Sequence, residues 1–393
     1  MNDRAVPRGV VPLLFASMAI FVVTVVMGIL NGTDLVDLPH GALLAHVHSG
    51  TLGWITLSIF AAAAWIFGAA EMPRLLRDGS IVAVVLYIGA FWADVEEIRP
   101  VTGVLMMAAI VWFAVWVFQA RAGRALTVPG LAILLASVNL VIGGVLGVVL
   151  GLAHAGLFDL SSEIAGAHPA MMVVGYLILA GVALDEQLIG GPGTERMIRM
   201  GAWQAYAFFG AGIALVLGIL FDLQPLLGLN LLGEVVGVVL VLVRLRRQIA
   251  GAGWSSPVPA RHGAVSILWL VPVVGLIVYL IANYIEDFDQ VPVRLLLALD
   301  HATFVGILTN AIFGLLLVAT AARRAIWGWA DQLVFWGINL ALVGFVVGLI
   351  ADAPVMKRIS TPVMGTAILL GLLTAVMRLR RLEPEGASAS AAA

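Results

Sequence analysis

The chain has 393 residues, of which 62% are hydrophobic and 11% charged, with a mean hydropathy of +1.08 and a formal net charge of −2. This composition excludes a soluble globular protein, and nucleic acid is not an expected partner. The absence of cysteine excludes disulfides, iron–sulfur clusters, thiolate ligation of haem and a covalently attached haem.

Arg4 and Arg8 precede the first apolar run. No small-residue cleavage site follows them, so the run reads as a retained helix rather than a signal peptide. Twelve runs approach or reach the roughly 20 residues that cross a bilayer as helix. They fall at 10–30, 41–70, 80–95, 101–119, 126–151, 165–184, 201–221, 225–244, 264–284, 296–320, 330–350 and 361–378. The longest connection is 245–263, too short for a soluble domain. The expected fold class is all-α integral membrane, with a single twelve-helix domain over 1–381 and a disordered, low-complexity tail over 382–393.

With the N-terminus inside, 17 of the 21 Lys and Arg residues fall in inner segments, and the outer ones hold only Arg99, Arg294, Lys357 and Arg358. One helix too many or too few would scramble this bias, so it supports twelve spans with both termini inside; the expected location is a bacterial or archaeal cytoplasmic membrane. The same topology puts His40, His46, His48, His154, His168 and His301 on or near the outer side and only His262 in an inner loop. Acids gather on the outer side too: Asp34, Asp37, Asp94, Glu96, Glu97, Asp159, Glu163, Asp222, Glu286, Asp287, Asp289 and Asp352. Polar chemistry is expected in that one layer, where an external electron donor could dock.

The stretch His40-Gly-Ala-Leu-Leu-Ala-His-Val-His-Ser-Gly-Thr-Leu-Gly-Trp54 places imidazoles at the mouth of span two. Ionisable or metal-ligating side chains inside a membrane helix are costly and mark a functional site by default. His168 and His301 stand near the starts of spans six and ten, four spans apart each time. His46 is followed seven residues later by Gly53-Trp54-Ile55, and His168 by Gly175-Tyr176-Leu177. His48-Ser-Gly-Thr-Leu-Gly-Trp-Ile lines up with His301-Ala-Thr-Phe-Val-Gly-Ile-Leu; Leu299 then stands for His46 and Ala170 for His48. This pattern predicts a pseudo-threefold repeat of four-helix units with the histidines on the order of 10 Å below the outer boundary. His46 and His48 are about 200° apart around a helix and should face different neighbours.

These residues resemble subunit I of the haem–copper oxidase superfamily, which includes nitric oxide reductases. His46-Val-His-Ser-Gly-Thr-Leu-Gly-Trp54 resembles its low-spin haem ligand helix. Gly166-Ala-His-Pro169 is similar to its Gly-His-Pro, whose histidine ligates copper. His301 stands where the family has His-x-His, and Met356-Lys357-Arg358, in the loop between spans eleven and twelve, is similar to its paired arginines for haem propionates. The resemblance implies twelve helices in three arcs and a haem toward the outer face. The departures imply a lost dinuclear centre. Span seven carries no histidine, Ala170 and Met172 replace the Glu and Tyr after His-Pro, and Leu299 occupies the high-spin ligand position. One imidazole at His168 cannot hold copper, so copper is not expected.

The leading expectation is one bis-histidine haem b, held by His46 or His48 and by His301, with propionates near Lys357, Arg358 and Arg294, serving electron transfer or sensing. A second reading is an enzyme reacting with oxygen or nitric oxide at a five-coordinate haem or a metal site built from His46, His48, His168 and His301. A third is a cofactor-free transporter, since internal repeats with polar residues at shared depth occur in carriers. Glu234 and Asp94 are candidate proton-handling acids. Asn139, Asn283, Asn310 and Asn339 read as interhelical hydrogen-bonding residues. Trp254, Trp327 and Trp329 read as interfacial anchors. The Gly-Val-Leu-Gly-Val-Val-Leu-Gly run of span five reads as close helix packing.

Overall fold

Apolar stretches that must satisfy their own backbone groups in lipid form helices, and the computed structural model has twelve such helices among the described residues, 5–68, 71–284, 290–323 and 326–380. The expected tail over 382–393, the acids Glu286, Asp287 and Asp289, and the cations Arg4, Arg324 and Arg381 lie outside these. The helices are α1 Arg8–Gly32, α2 His40–Phe67, α3 Arg74–Trp92, α4 Ile98–Arg121, α5 Val128–His154, α6 Glu163–Ile189, α7 Arg199–Leu220, α8 Gln224–Ala250, α9 Pro259–Tyr284, α10 Val293–Ala319, α11 Ala330–Ile350 and α12 Pro354–Arg380. Each is long and apolar enough to cross a membrane, which marks the chain as an integral membrane protein. Short connections make successive helices antiparallel.

Helix limits follow local chemistry. Thr127 caps α5 by accepting from the Gly130 N–H at 3.2 Å. Gly68 and Gly190, in the left-handed region, stop α2 and α6. Asp34, Asp94, Asp222 and Asp352 take the same left-handed backbone two residues after α1, α3, α7 and α11, a conformation that the short acidic side chain tolerates.

Three helices form the centre. In their most apolar windows α2, α6 and α10 are 89%, 72% and 78% buried, against 28% for α8 and 33% for α3, which face outward. The three central helices share a second property: each widens into π-helix, over Ser49–Thr56, Met171–Leu177 and Ala302–Thr309. Such segments are rare and accompany functional sites. Thr56 and Thr309 stabilise theirs by donating to the carbonyls of Thr51 and Phe304, five residues back, at 2.9 and 2.8 Å. A glycine in each segment allows close approach to the helix before it: a Cβ on Gly53 would meet Ile20 of α1 at 2.4 Å, on Gly175 Asn139 of α5 at 3.3 Å, and on Gly306 Trp269 of α9 at 2.7 Å.

Candidate functional site

A cavity of about 250 Å³, within about 1330 Å³ of atom-free space that runs to the surface, lies between α1, α2, α10, α11 and α12. Sites for cofactor-sized ligands span roughly 300–1,000 Å³. His46 of α2 and His301 of α10 both line it. The His301 Nδ1 lies 2.8 Å from the Leu297 carbonyl oxygen. A carbonyl only accepts, so Nδ1 carries the proton and the Nε2 lone pair is left free, the form that binds a metal. The His46 Nδ1 is buried with no hydrogen-bond partner among the described residues. Its ring reaches across to α1 because residue 28 is glycine: a Cβ there would stand 3.3 Å from His46 Cε1. Beside it, Thr24 of α1 donates to Ser49 at 2.7 Å, and Ser49 in turn donates to the His46 carbonyl at 2.9 Å. Deeper in, Trp54 donates through Nε1 to Thr309 Oγ1 at 3.0 Å and stacks on Phe21 at 4.4 Å.

Lys357 and Asp34 stand at the mouth. Asp34 accepts from Lys357 Nζ at 2.7 Å and Arg358 Nε at 2.6 Å, and these bonds, Lys357's first, hold its carboxyl below the ordinary value of 3.8. Lys357 and Arg358 sit on the first turns of α12 rather than in the expected loop, because the helix starts at Pro354. Asp300 also lines the cavity, with no ion pair or hydrogen bond among the described residues; its place beside His301 was the one signal available from sequence. Arg294 is elsewhere: it donates to the Leu349 and Ile350 carbonyls at 3.0 and 2.8 Å and lines a separate cavity between α9, α10 and α11.

The other two histidines face different neighbours. His48 stacks on Phe91 of α3 at 4.2 Å and 10°, with its Nδ1 2.8 Å from the Leu44 carbonyl. His168 places Nδ1 2.9 Å from the Gly143 carbonyl of α5. His46 and His48 thus diverge as their spacing requires. No group of three His, Cys, Asp or Glu side chains able to hold a metal ion occurs among the described residues, so the structure does not bring His46, His48, His168 and His301 into one metal site. His40 and His154 are exposed.

The opposite end of the bundle also holds buried polar groups and ion pairs, which corrects the expected single layer. Arg244 of α8 makes a two-pronged pair with buried Glu186 of α6, both bonds 2.5 Å, and also donates to Gln204 of α7. Arg378 of α12 pairs with Asp331 of α11 at 2.7 Å. His262 belongs to α9 and is buried rather than in a loop, since α8 runs on to Ala250 and α9 begins at Pro259. Asn310 and Asn339 exchange amide hydrogen bonds at 3.0 Å, as expected of interhelical groups, while Asn283 only donates within its own helix. Glu234 is buried, and neither carboxyl oxygen has a hydrogen-bond partner among the described residues. Asp94 instead pairs with Arg99, whose guanidinium lies over Phe91.

No protein-family model matches this sequence, and no curated protein matches it.

Proposed function

We propose that the chain is a membrane haem protein resembling haem–copper oxidase subunit I, holding one b-type haem between His46 and His301. The observation that carries this reading is that these two imidazoles, from different central helices, line one cavity of about 250 Å³ that opens to the surface. Ligand count supports it. A bare transition-metal ion takes three or four protein donors; here only two imidazoles converge, the number an iron porphyrin needs at its axial positions. His301 is preset in its ligating tautomer by Leu297, and Gly28 leaves room for the His46 ring. Lys357 and Arg358 supply positive charge at the mouth, where cofactor carboxylates would be neutralised.

Bound through two imidazoles, haem accepts and returns one electron and keeps no open iron position, which favours electron transfer or sensing over oxygen or nitric oxide chemistry. The protein's part is to fix both rings, exclude water and hold the acidic edge of the cofactor. An electron donor would meet it at the acidic face beside the mouth. The orientation we infer puts that face outside a bacterial or archaeal membrane and both termini inside.

The pseudo-threefold repeat is part of the same proposal. It is supported by the three π-helical segments, which begin one residue after His48, Ala170 and His301, the positions that align in the sequence. Trp54 bonds Thr309 while Tyr176, at the position matching Trp54, bonds Thr56, which matches Thr309, at 3.4 Å.

The test is a reduced-minus-oxidised visible spectrum of the purified protein and of His301→Ala, each with and without carbon monoxide. The expected result is a bis-imidazole b-type spectrum insensitive to carbon monoxide, with the contribution of this site lost or made sensitive in the variant. A colourless preparation from haem-replete cells, or an unchanged spectrum in His301→Ala, overturns the reading.

A further inference from the structure

Asp185 of α6 is fully buried toward the end of the bundle that carries the Arg244–Glu186 pair, and the His46–His301 cavity does not include it. Two close approaches enclose it. One turn earlier, Gly181 lets α6 press on α10: a Cβ there would meet Ile307 Cγ2 at 2.7 Å. On another side Gly263 brings α9 against the Asp185 carbonyl oxygen, which a Cβ would meet at 3.0 Å. The carboxyl therefore sits at a packed junction of α6, α9 and α10.

The charged groups of the neighbouring helices are committed elsewhere. Glu186, the next residue, takes Arg244 of α8. Arg261 of α9 donates to the Gln332 side chain and the Asp331 carbonyl, and Arg378 of α12 pairs with Asp331. His262 of α9 lines a small cavity with Asp331 and Arg378. Asp300 of α10 stands seven residues, about two turns, before Ile307 and lines the other cavity. Among the described residues Asp185 has no ion pair; its Oδ1 has no hydrogen-bond partner and its Oδ2 has one, Ser266 of α9.

The Ser266 hydroxyl decides the form of the acid. Its oxygen lies 2.6 Å from Asp185 Oδ2 and 2.9 Å from the Ile307 carbonyl oxygen, both hydrogen-bond distances. A hydroxyl has one proton, and a carboxylate and a carbonyl only accept. With Asp185 ionised, one of the two contacts would set lone pair against lone pair. With it protonated, both are hydrogen bonds: the carboxyl O–H donates to Ser266 Oγ, and Ser266 donates to Ile307. The Ile307 oxygen has a lone pair to spare, because its backbone donor, the Asn310 N–H, is shared with the Val305 carbonyl at the end of the π-helical segment. An ionised Asp185 would also be a buried charge with no cation beside it, an arrangement that carries a heavy desolvation cost.

We propose that Asp185 is a proton-binding site within the membrane: a neutral carboxylic acid at the head of an ordered chain, Asp185 to Ser266 to Ile307, that ends on the π-helix of α10. Loss of the proton turns the Ser266 hydroxyl from Ile307 to Asp185 and takes that donor from the carbonyl. Occupancy by the proton is thus registered on the segment that begins one residue after His301. No step involves a cofactor, and the inference stands with or without haem.

The experiment is infrared spectroscopy of the full chain in lipid vesicles at neutral pH, for wild type, Asp185→Asn and Ser266→Ala, each with and without carbon-13 in the aspartate side-chain carboxyls. Wild type should show the carbonyl stretch of a protonated carboxyl that moves to lower frequency with the label, which separates it from any band of Glu234. That band should vanish in Asp185→Asn and rise in frequency in Ser266→Ala, where the acid loses its acceptor. Asp185→Asn is uncharged and can donate to Ser266 through its amide, so it should unfold at the wild-type temperature; if it does not fold, labelled Ser266→Ala alone carries the decision. The proposal is overturned by the lack of a label-sensitive protonated band in wild type, by a band that Asp185→Asn leaves at full intensity, or by one that Ser266→Ala leaves unmoved. A band lost when sodium chloride replaces the chloride of a large organic cation also overturns it, in favour of a sodium site.

Discussion

Gly28 offers a specific lever on the His46–His301 site. It lies on α1, and the one group within 4 Å of the Cβ it lacks is the His46 ring, at 3.3 Å. Gly28→Ala therefore asks the imidazole to yield by a few tenths of an ångström, and Gly28→Leu drives a branched side chain into the space the ring and its cofactor must share. Overpacking of this kind costs about 1–3 kcal/mol. Since ~1.4 kcal/mol is tenfold in binding, Gly28→Leu should weaken haem at this site by about 5- to 150-fold, with Gly28→Ala at or below the lower end of that range. The readout is a titration of haem into haem-free protein, following the absorbance that His301→Ala lacks. Gly275→Leu on α9 is the control, because nothing lies within 4 Å of that position, and it should bind as wild type does. Gly28→Leu titrating like wild type, with an unchanged bis-imidazole spectrum, would refute the reasoning, since His46 could then not be standing where the iron needs it.

Three further outcomes are expected. Arg244→Met strands the buried Glu186 carboxylate and the Gln204 amide oxygen, which should cost about 3–5 kcal/mol; adding Glu186→Leu should restore most of the thermal stability lost in detergent, and a double variant no better than the single one would contradict this. Asn339→Leu should cost about 1–3 kcal/mol by leaving Asn310 and the Trp269 N–H without their partner, with only partial recovery in Asn310→Leu/Asn339→Leu by the same thermal assay, since the Trp269 N–H stays without an acceptor. Asp34 has its carboxyl depressed by Lys357 and Arg358, so the tie it makes is present above the ordinary value of 3.8 and is lost as pH falls through the lower folded value. Hydrogen exchange over residues 33–38 should therefore rise in wild type only in that acidic window, while Asp34→Asn exchanges fast throughout.

The helices were legible because lipid imposes one rule on every span, and length plus hydropathy expresses it fully. Ends were less so. Polar first and last turns are helical while reading as loop, which is why Lys357, Arg358 and His262 were expected between helices and lie within them. The divergence of His46 and His48 followed from helical geometry alone. That His46, not His48, shares a cavity with His301 did not, because it depends on how α2 is rotated against α10, and that is set by glycines such as Gly53 and by π-helix that no periodicity announces. Arg294 was misplaced for the same reason: its charge and depth suited the cofactor, but its helix face points to the ends of α11. The Arg244–Glu186–Gln204 cluster cannot be read from sequence, because each member alone looks like an ordinary helix-end residue.

The third interface of the bundle bears on why the imidazoles are there at all. Where the first two carry a pair of histidines, the matching positions between α10 and α6 are Leu299 and Ala170, and where they carry an aromatic donor and a threonine acceptor, they are Ile307 and Ile178. That interface packs with apolar side chains at both levels, so neither an imidazole nor the Trp–Thr bond is a requirement of joining two units. Burying a polar group costs free energy unless it is satisfied, and in a membrane the apolar alternative is always at hand. Had the histidines been kept only as packing residues, the cheaper solution already used at one interface would have served at all three. Their confinement to two, with ring nitrogens held by a backbone carbonyl or buried beside a glycine, is in keeping with the proposed ligand-binding role.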